Sequence, residues 1–140
     1  MHWLIFGVLA ASCFGFYNLF IKLSSDKFSP AVSLMFLTGA AFLIALIATI
    51  SLKVSGKPIL LTKSHIALPI LAGVSTALAE ILYFTMYTKG APLGVGTVFV
   101  VGGTMIVATL LGVLILKEPL NLVKILGMVL LIAGLFLLTK

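Results

Sequence analysis

The sequence has no arginine, only three acidic residues and a single cysteine. Because Cys13 stands alone, the chain can form neither an internal disulfide nor a cysteine-based zinc cluster. Charged residues make up 9% of the chain, against about 25% in an ordinary soluble domain. Nine lysines give a net charge of +6, but they lie at the ends of apolar runs. No basic patch with interleaved aromatic residues is present, which argues against nucleic-acid binding.

What remains is overwhelmingly apolar. Of the 140 residues 62% are hydrophobic, and the mean hydropathy is +1.35. A soluble fold of this length leaves too much of its surface exposed to hide so many apolar side chains. We therefore predict an all-α integral membrane protein, multi-pass in the cytoplasmic membrane. No lysine or arginine precedes Trp3 and the apolar run continues to Ile21, which favours a retained first helix over a cleaved signal peptide.

Turn residues and lysines divide the chain into five apolar runs, each near the ~20 residues that a bilayer requires. Ser29 and Pro30 are typical of an N-cap followed by the first helical residue. We predict one five-helix domain over residues 1–140, with helices over about 3–22, 30–53, 65–88, 93–116 and 122–139.

An odd number of spans places the two ends of the chain on opposite sides of the membrane. On the side of the N-terminus lie five lysines: Lys53, Lys57, Lys63, Lys117 and Lys124. The opposite side has four: Lys22, Lys27, Lys89 and Lys140. The bias weakly favours a cytoplasmic N-terminus and leaves insertion in both orientations open.

Glu80 is the most informative residue. It lies only ~5 Å along the axis from the middle of helix 3, where an ionisable group usually faces a cavity or a partner. Thr76, Tyr83 and Tyr87 share its helical face by spacing, which predicts a lining for a polar or cationic substrate or a proton relay. The alternative to a functional role is a structural one, in which a protonated Glu80 is hydrogen-bonded to a neighbouring helix.

Helix 1 carries a second face with polar character. By helical spacing one arc holds Gly7, Ala11, Gly15, Asn18 and Lys22. Small residues four apart let helices approach closely, so packing is the simpler explanation for the glycines. For Asn18, packing and substrate binding stay equally open.

Helices 4 and 5 carry further small and polar residues. One face of helix 4 holds Thr97, Thr104, Ala108 and Gly112, and the adjacent Gly102 and Gly103 predict either a hinge or, more simply, close packing. Gly127 and Gly134 are seven apart in helix 5 and predict a helix contact. With helices 1, 3 and 4 as the expected cavity lining, the candidate substrate or proton-binding residues are Glu80, Tyr83, Tyr87, Thr76, Asn18 and Thr104.

The sequence contains no recognisable catalytic motif. The serines and threonines have no neighbouring base, and His2 and His65 lie at membrane edges without a metal-binding set. Gly94 and Gly96 follow no strand and cannot form a nucleotide loop. Glu118, between Lys117 and Pro119, fits an interfacial ion pair. We predict no enzymatic activity, cofactor or metal.

Several motifs in the second half of the chain form a recognisable series. Tyr83 is followed by Gly90-Ala91-Pro92, then by an apolar helix ending in Leu116-Lys117-Glu118-Pro119-Leu120, and by a last helix with Gly127 and Gly134. This series resembles an EamA-type repeat of the drug/metabolite transporter superfamily. Helix 1 fits more loosely, with Phe14-Gly15 where the family often has Trp-Gly, and the family's arginine early in helix 2 is absent.

The resemblance implies one half of a ten-helix inverted-repeat transporter, whose site forms at the interface between repeats. A single repeat would then work as an antiparallel homodimer or with a sister five-helix chain. The expected function is alternating-access transport of small metabolites or drugs, proton-coupled through Glu80. The alternative is a non-transporting membrane subunit that stabilises or regulates a larger complex.

Overall fold

The computed structural model describes residues 2–138, with the side chains of residues 2–4 and 63 left aside. Within this range the chain forms five α-helices and no strand. They are α1 (His2–Ser24), α2 (Pro30–Val54), α3 (Ala67–Thr88), α4 (Leu93–Leu114) and α5 (Leu122–Leu138). The predicted all-α class and the five helices are thus confirmed.

The start of α2 follows from its sequence. Ser29 is extended, with φ −65° and ψ 149°, and Pro30 occupies the first helical turn, where its missing N–H costs no hydrogen bond. The backbone N–H of Ser33 donates to the Ser29 carbonyl oxygen at 3.0 Å. Ser29 therefore occupies the predicted N-cap position, although its hydroxyl makes no capping hydrogen bond.

The third helix starts later than its apolar run suggests. α3 begins at Ala67 rather than at residue 65, because Lys63–His65 form a separate 3-10 turn. In this turn the backbone N–H of His65 donates to the Thr62 carbonyl oxygen at 3.0 Å. Glu80 lies well inside α3 with either start.

The fourth helix ends at Leu114 rather than at residue 116. Lys117 has a φ of 55°, which turns the chain back, and the backbone N–H groups of Leu116 and Glu118 each donate to the Gly112 carbonyl oxygen at 3.1 Å. Such bonds satisfy carbonyl groups that a helix end leaves open. The corner between α4 and α5 is therefore tightly folded.

Four helices in the described part of the chain, α1 to α4, are long and apolar enough to cross a membrane. The fifth, α5, is apolar but has 17 residues. At 1.5 Å per residue it covers about 25 Å, slightly less than the ~30 Å hydrocarbon core. Most large apolar side chains are exposed, as expected when lipid rather than water surrounds a protein.

The chain divides into two compact units. One comprises the residues up to Leu19 together with those from Lys89 onward, and in it α4 packs against α5. The other runs from Phe20 to Thr88, and in it α2 packs against α3. Its buried side chains include Ile21, Tyr83, Phe84 and Tyr87.

Candidate functional site

Glu80 projects from α3 as a half-buried side chain. Its Oε2 atom is buried and has no hydrogen-bond partner. Buried polar atoms are nearly always hydrogen-bonded, because desolvation without a partner costs free energy. An unsatisfied carboxyl oxygen in a membrane-spanning helix is therefore suited to receive a proton or a donor group from a ligand.

Tyr83 and Tyr87 form a buried pair one helical turn apart on α3. Their hydroxyl oxygens lie 2.9 Å apart, within hydrogen-bond distance, and their ring centroids are 4.9 Å apart at an interplanar angle of 56°. Tyr87 is fully buried, and 7% of Tyr83 is exposed. Residues at i and i+4 face the same side of a helix, so spacing alone predicts this contact.

Lys22 adds a charge to this pair. Its Nζ lies 5.4 Å from the centroid of the Tyr87 ring, within the distance of a cation–π interaction. The lysine lies in the last turn of α1, where its positive charge also interacts favourably with the negative end of the helix dipole. The sequence does not predict this contact, since spacing along one helix contains no information on which residue of another helix comes close.

The predicted face of α3 is only partly a buried polar face. Thr76 is exposed, and its hydroxyl donates to the Ala72 carbonyl oxygen of the same helix at 2.9 Å. Glu80 is half-buried, whereas Tyr83 and Tyr87 are buried. The hydroxyl donor of Thr76 is thus already used within its own helix.

A cavity of about 690 Å³ lies between α1 and α4. On α1 its lining includes Gly7, Ala11, Gly15 and Asn18, and on α4 it includes Thr97, Thr104 and Ala108. A Cβ atom placed on Gly7 or Gly15 would meet no heavy atom within 4 Å. In this unit the two glycines therefore leave room in a cavity, rather than allowing the close helix packing that was the simpler expectation.

The cavity contains few polar groups. Asn18 is buried, with 9% of its surface exposed, and can both donate and accept hydrogen bonds. The Thr104 hydroxyl donates to the Val100 carbonyl oxygen at 2.8 Å, so it offers a ligand chiefly its oxygen lone pairs. An apolar cavity with a few such groups is typical of a small-molecule site.

One glycine of the adjacent pair in α4 packs against α5. α4 is continuous from Leu93 to Leu114, and a Cβ on Gly102 would lie 3.0 Å from Leu135 Cδ1 on α5. On Gly103 the same atom would meet nothing within 4 Å. Gly102 therefore permits the close approach of α5, which agrees with the packing explanation.

The glycines of α5 behave differently from what their spacing suggested. A Cβ on Gly127 or Gly134 would meet no heavy atom within 4 Å. The expected helix contact is thus not made between described residues of this chain.

As for metal binding, no three His, Cys, Asp or Glu side chains in the described part of the chain are grouped to hold an ion.

The model of the EamA-like transporter family matches residues 1–140. The chain belongs to the EamA-like transporter family. No curated protein and no solved structure matches it.

Family membership confirms the resemblance inferred from the motifs around Tyr83, Glu118 and Gly127. An EamA-like chain is a membrane transporter of the drug/metabolite superfamily, and the four long apolar helices fit a multi-pass membrane protein. The described part of this EamA-like chain contains a buried, unpartnered carboxyl oxygen on α3 and a cavity between α1 and α4.

Proposed function

We propose that this EamA-like chain transports small metabolites or drugs across the cytoplasmic membrane and couples transport to protons through Glu80. The observation that carries the proposal is the buried Oε2 atom of Glu80, which has no hydrogen-bond partner. A charged carboxylate within a membrane span is costly, and neutralising it removes most of that cost. Either a proton or a cationic substrate neutralises the carboxylate, so the two compete for Glu80.

The cavity between α1 and α4 supports a small organic substrate. Its volume of about 690 Å³ lies within the range of ~300–1,000 Å³ that is usual for small-molecule sites. Asn18 and Thr104 give it hydrogen-bonding groups for orientation, and the remaining lining is apolar or small. We expect a partly apolar substrate with one or two polar groups.

A five-helix EamA-like unit needs a second unit for alternating access. Inverted repeats place the transport site at their interface, and an odd number of spans inverts the second repeat relative to the first. We propose that the second unit is an antiparallel copy of this chain, with a sister five-helix chain as the other source. The near balance of five lysines against four is compatible with insertion in both orientations.

Reconstituted vesicles test the coupling directly. Vesicles that contain the purified wild-type protein are expected to accumulate ethidium against its concentration gradient when the proton concentration is higher inside than outside. The outward flow of protons drives the inward flow of the dye, and pyranine inside the vesicles reports the proton flux. Glu80→Gln keeps the size of the side chain and one acceptor oxygen but cannot exchange the proton, so gradient-driven uptake should fall at least about tenfold.

Asp26→Asn is the matched control, because Asp26 is an exposed acid in the turn after α1 and should leave uptake unchanged. Gradient-driven uptake by Glu80→Gln at the wild-type rate would exclude Glu80 from the coupling. Absence of uptake by the wild-type protein together with co-purification of a larger membrane complex would instead favour the non-transporting subunit. In that case the Glu80 carboxyl would bind a donor from the partner.

A further inference from the structure

A second cavity lies between α4 and α5; it shares Met105 with the α1–α4 cavity, and none of the candidate substrate- or proton-binding residues lines it. It has a volume of about 410 Å³. Its body is formed by Met105 and Thr109 of α4 and by Gly127, Met128 and Leu131 of α5. At one end it is lined by Glu118 and Lys124. It thus combines a largely apolar body with a carboxylate and an ammonium group at one end.

The carboxylate is placed by the fold of the loop between the helices. The backbone N–H of Glu118 donates to the Gly112 carbonyl oxygen at 3.1 Å, and its Oε2 lies 3.3 Å from the position that a Cβ on Gly112 would take. The side chain therefore lies against the last turns of α4. A helix C-terminus carries partial negative charge, so this end of the cavity attracts a cation.

The ammonium group is placed by the same loop. Lys124 Nζ donates to the Pro119 carbonyl oxygen at 3.1 Å, and Asn121 Oδ1 accepts the backbone N–H of Lys124 at 2.9 Å. Asn121 thus caps the start of α5 and fixes the turn that carries the lysine. An ammonium group has three N–H donors, so Lys124 can also bind an anion.

The position of the two charges identifies the ligand class. Lys124 and Glu118 lie at the end of the α4–α5 pair, whereas Leu131 lies seven residues further along α5, or ~10 Å deeper into the apolar span. A ligand that fills this cavity needs a cation and an anion at one end and an apolar chain at the other. Phospholipids with a primary amine in the headgroup have this arrangement and are present at the membrane surface.

We propose that the α4–α5 cavity binds a phosphatidylethanolamine molecule. Its ammonium group donates to Glu118, its phosphate accepts from Lys124, and one acyl chain lies along Gly127 and Leu131. Because Gly127 has no side chain and nothing lies within 4 Å of its Cβ position, the groove stays open for the chain. Phosphatidylcholine has the same charges but no N–H donor on its ammonium group, so it should bind more weakly.

Native mass spectrometry of the purified protein with added dioleoyl lipids tests the site. We expect the wild-type protein to bind phosphatidylethanolamine about tenfold more tightly than phosphatidylcholine, since a charge-assisted hydrogen bond distinguishes the two. Glu118→Gln should bring this ratio close to one, whereas Asp26→Asn should keep it. Lys124→Gln should weaken both lipids together, whereas Lys117→Gln on the same loop should not.

Two further arms separate the lipid from its headgroup and from loss of fold. Phosphoethanolamine, which has the headgroup charges without acyl chains, should not displace the lipid at equal concentration. Gly127→Leu should fill the groove and reduce binding at least about fivefold while the α-helical circular dichroism stays unchanged. Equal binding of the two phospholipids by the wild-type protein would overturn the proposal, as would an unchanged ratio in Glu118→Gln or displacement by phosphoethanolamine.

Discussion

The two glutamates of this chain lie in contrasting surroundings. Glu80 is half-buried on a membrane-spanning helix, and one of its oxygens has no hydrogen-bond partner. Glu118 is exposed in a loop that folds back onto α4, and its side chain lies against Gly112. We therefore propose different roles for the two glutamates: proton coupling for Glu80 and binding of a cationic headgroup for Glu118.

At the residue scale the Tyr83–Tyr87 pair makes a measurable prediction. Replacing either tyrosine by phenylalanine removes the 2.9 Å contact between the two hydroxyls and deprives the other buried hydroxyl of this partner. Each single variant should lower the free energy of unfolding by ~1–2 kcal/mol. The double variant should cost less than the sum of the two, with a coupling of ~0.5–1.5 kcal/mol.

Denaturant unfolding in detergent micelles, followed by circular dichroism, gives the free energy of unfolding of the wild-type protein, the two single variants and the double variant. Because phenylalanine keeps both rings and their 4.9 Å stacking, the cycle isolates the hydroxyl contact. Strictly additive effects of the two substitutions would show that this hydrogen bond contributes nothing to the fold.

At the element scale the contact between α4 and α5 depends on one glycine of an adjacent pair. Gly102 faces Leu135 at close range and Gly103 faces open space. Gly102→Val should force Leu135 away and destabilise the protein by ~1–3 kcal/mol, as overpacking does in other proteins. Gly103→Val is the matched control, because it has the same helix propensity and no neighbour to displace.

The midpoint of thermal unfolding, measured for both variants under identical conditions, decides between close packing and a hinge. If α4 bends at the pair during transport, both valine variants should slow uptake without a large difference in stability. A large loss of stability confined to Gly102→Val supports packing.

The helices follow from local sequence, whereas contacts between them do not. Apolar runs and turn residues such as Ser29, Pro30 and Gly90 predict where helices lie, and Gly90 has a φ of 94° that other residues rarely adopt. The polar outlier Glu80 can be found in the same way. The cation–π contact of Lys22 with Tyr87 cannot, because it depends on how two helices pack.

The spacing of small residues also fails to predict which helices come into close contact. Helical spacing groups Gly7 with Gly15 and Gly127 with Gly134, and both pairs predict close packing. In the structure a Cβ on any of them meets nothing within 4 Å, whereas Gly102, one of two adjacent glycines, is in close contact. A small residue permits either a cavity or a contact, and only the position of the neighbouring helix decides which one forms.

At the scale of the whole molecule the charge balance predicts how the chain inserts. The lysines number five on one side and four on the other, so an antiparallel homodimer requires populations of both orientations. Reporter proteins fused to the C-terminus, one active in the cytoplasm and one outside it, should both give a signal. Changing Lys53 and Lys57 to Gln leaves three against four and should shift the population toward the opposite orientation.

Matched expression levels, measured by immunoblot, are the control for this experiment. A signal from one compartment only, unchanged by the two substitutions, would exclude the antiparallel homodimer and leave a sister chain as the second unit.

The proposed transport mechanism requires Glu80 to bind and release a proton inside the membrane. Infrared difference spectroscopy of the protein in lipid vesicles, between mildly acidic and mildly alkaline buffer, observes the C=O stretch of a protonated carboxyl group without requiring a known substrate. We expect a band that changes with pH in the wild-type protein and in Glu118→Gln but is missing from Glu80→Gln. A pH-dependent carboxyl spectrum that is identical in the wild-type protein and in Glu80→Gln would contradict it.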